Sequence, residues 1–172
     1  LGVALGPGSF TSLRVGLALM KGLAFSRNLP LIGIPTLDIL AASQPARDVS
    51  TRLNTGIRLA TVLQAGRGRL AVGYYTASPS GIWEPEESLS VMNINELLES
   101  IHSPTLVSGE LLAEERKILE ENKFVELSSP SRSTRRPACL AELAWKRYQA
   151  NDTDDAASLS PIYLQVGAAI PS

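Results

Sequence analysis

The chain has 172 residues, 44% of them hydrophobic and 19% charged, with a formal net charge of −1. That length suffices for one domain or two small lobes; the balance is ordinary for a globular protein and gives no electrostatic case for gripping nucleic acid directly. The lone cysteine, Cys139, excludes an internal disulfide, and neither a signal peptide nor a membrane span is legible, so a cytoplasmic location is expected.

Leu1–Leu5 reads as a short apolar strand, and Gly6-Pro7-Gly8 forces a tight loop after it. The small residues that follow let a backbone, a phosphate or a partner come close. Ser9 or Thr11 would cap the next helix, Ser12–Arg27. The loop is not a dinucleotide fingerprint, because Thr11 stands where a third glycine is needed, and no Gly-Lys-Ser/Thr closes it as a Walker A loop. A helix N-terminus favours an anion, but a plain strand-to-helix turn accounts for the same residues. Within the helix Leu13, Val15, Leu17, Leu19, Met20, Leu23 and Phe25 lie nearly all the way round, which makes it deeply buried or pressed against a partner. Arg14, Lys21 and Arg27, with its length, rule it out as a bilayer span. Ser12/Gly16 and Ala18/Gly22 sit four apart and stack on the helix surface, so another helix can approach closely. Each glycine costs about 1 kcal/mol against alanine in a helix, which such a contact offsets, whether the second helix comes from this chain or another.

Asn28-Leu29-Pro30 breaks the helix. Leu31–Ile34 reads as a buried strand, and Pro35-Thr36 starts a helix through Ala42 with Thr36 as its cap. Ser43–Thr55 reads as a polar, mobile crossover between lobes. Ile57–Gln64 and Arg69–Ala77 read as strands joined by a hairpin turn at Ala65-Gly66-Arg67-Gly68. Ser78-Pro79-Ser80-Gly81 turns into a third strand, Ile82–Val91. Asn93 caps a helix Ile94–Ile101; Thr105–Ser108 is a strand, Glu110–Glu121 a charged surface helix, Phe124–Leu127 a strand and Pro137–Ala150 a last helix.

Gly6-Pro7-Gly8-Ser9-Phe10-Thr11-Ser12-Leu13-Arg14-Val15-Gly16, then Lys21-Gly22-Leu23-Ala24, then Pro30-Leu31-Ile32-Gly33-Ile34-Pro35-Thr36-Leu37, resembles the TsaB family, also called YeaZ. That family's pattern reads Gly-Pro-Gly-Ser-Phe-Thr-Gly-Leu-Arg-(Ile/Val)-Gly, later Lys-Gly-Leu-Ala, then an apolar strand ending in (Ser/Thr)-Leu. The resemblance is dense over residues 1–41. Pro161-Ile162-Tyr163-Leu164 resembles the Pro-x-Tyr-Leu that closes many members, and between the two only the order of elements agrees. Ser12 replaces the family's usual glycine, and Gln64-Ala65-Gly66-Arg67-Gly68-Arg69-Leu70-Ala71 stands where the family often has Asp-Ala-Arg-x-Gly-Glu-Val-Tyr. Leu1 falls inside a middle strand of the family, so the resemblance is to an N-terminally truncated member.

The resemblance implies a ribonuclease-H-like, actin-like (ASKHA) α/β fold. Residues 1–46 would be the remainder of the first lobe with its interface helix. Residues 47–172 would be the second lobe, a mixed sheet flanked by helices, with a C-terminal tail. It also implies a role: the non-catalytic dimerisation subunit of the bacterial machinery that makes threonylcarbamoyladenosine beside the tRNA anticodon. Such a subunit pairs with the catalytic TsaD through helices of the first lobe, and the ATPase TsaE joins the assembly. The expected partner interface is Gly8, Ser9, Phe10, Thr11, Ser12, Arg14, Val15, Gly16, Ala18, Lys21 and Gly22, with Arg14 and Lys21 supplying polar contacts. tRNA would be met only indirectly, and ATP at the partner interface stays open.

The catalytic inventory is thin. His102, the only histidine, ends a helix before Ser103-Pro104 and reads as a cap or a surface residue. There is no histidine pair for a metal, unlike the histidine-based motif of TsaD, and no Ser-His-Asp set. Cys139, beside Leu140 and Leu143, reads as a structural thiol. Glu110, Glu114, Glu115, Glu120 and Glu121 read as a solvated helix face. Ser131-Arg132-Ser133-Thr134-Arg135-Arg136 is a basic loop, either a linker or a contact for RNA or phosphate. Two other classes stay open: a residual nucleotide-binding ATPase or peptidase-like enzyme, and an actin-like module that pairs with its own copy about a two-fold axis.

Overall fold

The computed structural model describes residues 1–45, 57–86 and 89–164. Two parallel strands, β1 (Gly2–Gly6) and β2 (Ile32–Pro35), form a small sheet bridged by helix α1 (Phe10–Arg27). Helix α2 (Thr36–Ala42) follows directly. The larger sheet has six strands among the described residues: β3 (Arg58–Gly66), β4 (Arg69–Ala77), β5 (Trp83–Pro85), β6 (Ser90–Met92), β7 (Thr105–Gly109) and β8 (Val125–Leu127). Its order is β5-β4-β3-β7-β8, with β6 also on β4. β3 and β4 form an antiparallel hairpin closed by Arg67 and Gly68, both at positive φ as in a type I′ turn. β7 and β8 run parallel to β3, and parallel neighbours need crossovers. Helices α3 (Ile94–Ser100) and α4 (Ala113–Glu120) supply two of these, and α5 (Pro137–Gln149) leads the chain away.

Alternation along the strands assigns the faces. Leu97, Ile101 and Leu119 cover Ala60, Val62, Val72 and Val107 on one face of the larger sheet. Leu37, Leu40 and Ala41 of α2 cover Leu59, Leu63, Ala71 and Leu106 on the other. In the small sheet Val3 and Leu5 meet Leu17 and Ala24 of α1, while Ile32 and Ile34 turn the opposite way to Ile39 of α2 and Ala144 of α5. α2 therefore packs on both sheets, and α5 brings the chain back to the small sheet.

A strap over residues 151–164 completes that half. The Asp154 carboxylate accepts from the Gly33 N–H at 2.7 Å, and Arg147 donates to the Gly33 carbonyl at 2.8 Å while pairing with Asp152 and Asp154. These groups cap the outer edge of β2, as an open strand edge requires. Further on, the Ile162 N–H reaches the Leu5 carbonyl at 2.8 Å.

Several local expectations are corrected. Neither Ser9 nor Thr11 caps α1 through its side chain. The helix starts at Phe10, the Leu13 N–H bonds the Ser9 carbonyl at 2.9 Å, and the Ser9 hydroxyl instead accepts from Ser12. Thr36 is the first residue of α2 and is buried, with Pro35 at the cap position. The third meander strand is described as two segments, β5 and β6, on the same edge of β4: the Glu86 N–H still bonds the Tyr74 carbonyl at 2.9 Å beyond Pro85, but between the Tyr75–Pro85 and Val72–Ser90 pairs the register shifts by two residues. Residues 46–55 of the expected crossover lie outside the described residues, and Ser43 and Gln44 at its start are buried. Gln44 donates to Ser108 at 2.9 Å and to the Arg132 carbonyl at 2.7 Å, and accepts from Ser128 at 2.9 Å. Glu115 is also buried: its carboxylate takes the Leu112 N–H at 2.7 Å and the Gln64 amide at 2.8 Å. Asn93 caps α3 as expected, in a reciprocal box with Glu96.

Candidate partner interface

Only Leu17 and Ala24 of α1 are fully buried, which settles how an all-round apolar helix is used. Its outward face carries Val15 at 64%, Leu19 at 62% and Leu23 at 41% exposure, spaced four residues apart in one ridge. Phe25, in the last turn of the helix, is 91% exposed as well. Ser12 and Gly16 line one flank of the ridge, Ala18 and Gly22 the other. A Cβ placed on Gly16 or on Gly22 would meet nothing within 4 Å, so no helix of this chain fills either seam among the described residues. A raised apolar ridge between two shallow seams is a surface another helix can pack on, ridge into groove. Contiguous exposed apolar side chains of this kind mark interaction sites.

The first turn sits where β1 and the strap meet. Gly6 has a φ of +109°, and a Cβ there would lie 2.8 Å from the Ile162 carbonyl oxygen and 2.9 Å from Leu13; no side chain fits. Gly8, Ser9, Phe10 and Thr11 are exposed. The Arg14 guanidinium lies 4.0 Å over the Phe10 ring and donates to the Tyr163 hydroxyl at 2.9 Å. Lys21 donates to the Ala157 carbonyl at 3.2 Å. The two basic residues thus bind the chain's own C-terminal strap and flank the ridge. A hollow of about 480 Å³ adjoins this turn, with Ser9 and Ser12 on one wall and Arg135 and Arg136 on another.

Every residue expected at the interface is thus exposed or half-buried on α1 or its preceding loop. Leu19 and Leu23 extend the same ridge, and Phe25 and Tyr163 are further exposed aromatic residues on α1 and the strap. The four-residue spacing of Val15, Leu19 and Leu23 is a sequence signal that picks out the first two of these. Elsewhere, His102 is exposed just beyond α3. Cys139 is half-buried against α5's apolar neighbours, and burial pushes its thiol up, away from nucleophilic character. In the 131–136 loop Arg135 pairs with Glu110 and Arg136 donates to the Ser131 carbonyl. No helix among the described residues is long and apolar enough to cross a membrane.

Comparison with known proteins agrees with the sequence resemblance. The family model described as TsaD, tRNA N6-adenosine threonylcarbamoyltransferase, matches residues 1–84. The tRNA threonylcarbamoyladenosine biosynthesis protein TsaB of Escherichia coli (strain K12) is 34% identical over 87 residues, 51% of this chain and 35% of that protein. The protein of the same name from Bacillus subtilis (strain 168) is 27% identical over 97% of this chain and 69% of its own length. The chain therefore spans about a third of the first relative and about two thirds of the second. Among solved structures, YeaZ from Pseudomonas aeruginosa superposes with a TM-score of 0.66 at 20% identity, covering 94% of this chain and 74% of that one. The fold is the ribonuclease-H-like, actin-type α/β fold that the resemblance implies.

Proposed function

We propose that the chain is a TsaB (YeaZ)-type protein, like the relatives it matches, and that it serves as a non-catalytic subunit of the bacterial tRNA threonylcarbamoyladenosine machinery, pairing through α1 with a TsaD-like catalytic subunit. The observation that carries this reading is the Val15–Leu19–Leu23 ridge with open space at Gly16 and Gly22. The family model that covers the same residues is that of a threonylcarbamoyltransferase, so the two subunits would present related helices to one another. A TsaE-like ATPase would join the assembly, which would work in the cytoplasm. The tRNA would be held by the partner, in keeping with this chain's net charge of −1. ATP held at the interface would meet the hollow rimmed by Ser9, Ser12, Arg135 and Arg136. An ATPase or peptidase-like role is not favoured.

Co-expression with the cognate TsaD-like subunit, followed by size-exclusion chromatography with light scattering, tests the reading. A stable hetero-complex is expected, lost in Leu19→Asp and Gly22→Leu. A complex that survives both changes removes α1 from the interface; well-folded chains that elute apart overturn the role. The ridge and seams are also self-complementary, which favours one second reading: pairing of two copies about a two-fold axis. A homodimer of the chain alone, dissolved by the same substitutions and displaced by the TsaD-like subunit, would place both pairings on α1.

A further inference from the structure

Across the small sheet from α1, a cavity of about 290 Å³ opens between α2, α5 and β5. Its walls include the Tyr75 and Trp83 rings, both almost fully buried, and Leu143 of α5. Asp38 of α2 faces into it. The Asp38 carboxylate accepts the Tyr75 hydroxyl at 2.7 Å, and no cation lies within ion-pair distance of it among the described residues. At the mouth, Lys146 is engaged by Glu142 at 3.1 Å, both side chains well exposed. Among the described residues the lining thus holds two carboxylates and one ammonium, a charge that one further positive group would balance.

A half-buried carboxylate whose hydration is not replaced by a cation is costly. Burial raises the Asp38 proton affinity, only partly offset by the bond from Tyr75. Aromatic faces beside a carboxylate attract a cation at close range, and Trp83 cannot turn away, because its indole N–H is held by the Gln44 carbonyl at 2.9 Å. The volume lies at the lower end of ligand cavities, which run from about 300 Å³, so the occupant is small.

We propose that this cavity binds a small organic ammonium, with the charged head on Asp38 and an apolar or planar body against Trp83 and Leu143. The site lies on the opposite side of β1 and β2 from the pairing helix and does not depend on the pairing role. It admits a low-molecular-weight amine or an exposed lysine side chain of a peptide, and the tests below use the free amine.

The chain has two tryptophans, so Trp145→Phe leaves Trp83 as the sole indole reporter. Benzylamine titrated into that protein at neutral pH is expected to change Trp83 emission saturably, at least tenfold more tightly than benzyl alcohol. Asp38→Asn, which keeps an acceptor for Tyr75, is expected to weaken benzylamine binding at least tenfold while far-UV circular dichroism stays unchanged. Lys146→Gln, which removes the competing cation at the mouth, is expected to tighten binding about threefold, and it gives an independent reading should Asp38→Asn fail to fold. Equal responses to benzylamine and benzyl alcohol, a non-saturating response, or a Lys146→Gln chain that binds the amine no more tightly would overturn the proposal.

Discussion

Asp38 makes the folded chain sensitive to pH. Burial holds its carboxyl above the ordinary carboxylate range, and the Tyr75 hydrogen bond pulls the other way without cancelling it. A group raised in the folded state stabilises that state below its unfolded value, about 3.9 for aspartate, and that contribution disappears as pH climbs through the raised value. The native chain should therefore lose stability relative to Asp38→Asn between roughly pH 4 and neutrality. Urea midpoints of both proteins across that range provide the measurement, and a gap that stays constant with pH would show that Asp38 titrates normally. Tyr75 is raised for the same reasons, burial first and then the neighbouring carboxylate, so the pair does not supply a phenolate to any chemistry near neutrality.

At the level of the element, α1 separates residues that hold the fold from exposed residues that the proposed pairing would use. Leu17→Ala removes a side chain packed on Val3 and Leu5 and should cost about 3 kcal/mol. Leu19→Asp, on the exposed ridge, should change the stability of the isolated chain by no more than about 0.5 kcal/mol. Gly22→Ala should raise it by about 0.5–1 kcal/mol, because helix propensity improves and the new methyl meets nothing within 4 Å. Denaturant unfolding of the three variants, without a partner, decides this; a destabilised Gly22→Ala chain would mean that the seam is already filled. The order and kind of the elements were legible in the sequence because each has its own period, cap or breaker, as at Asn93 and at Asn28-Leu29-Pro30. Which side of α1 faces outward was legible only as a four-residue spacing of Val15, Leu19 and Leu23, since apolar residues circle that helix and β1, Leu31 and the strap together decide which ones it buries. The buried state of Gln44 and Glu115 was hidden, because Ser108, Ser128 and Gln64 reach them from 51 to 84 residues away. Of the proposed interface, the glycine loop and the small seams could be read from spacing, whereas the contact of Tyr163 with Phe10 and Arg14 arises only through the fold.

For the whole molecule, the question is whether two sheets unfold as one. α2 is the coupling element: Leu37, Leu40 and Ala41 enter the core of the larger sheet, and Ile39 enters the core under the small one. Gln44 then ties the end of α2 to Ser108 and Ser128 at the ends of β7 and β8. A seven-residue helix shared by two cores cannot lose one side without exposing the other, so the chain should unfold in a single transition. The two tryptophans report the halves separately. Trp83 lies in the larger core, and Trp145 is on α5, stacked near Tyr148 at 5.5 Å. Urea curves of Trp83→Phe and Trp145→Phe should therefore share one midpoint once corrected for the stability change of each substitution by circular dichroism. Leu40→Ala, which opens a void at a fully buried position, should cost about 3 kcal/mol and move both signals together. Signals that part company in Leu40→Ala, with the Trp145 probe melting at the lower urea concentration, would mean that the small sheet, α1 and the strap are held by α2 alone. They would then depend on a bound partner for their stability.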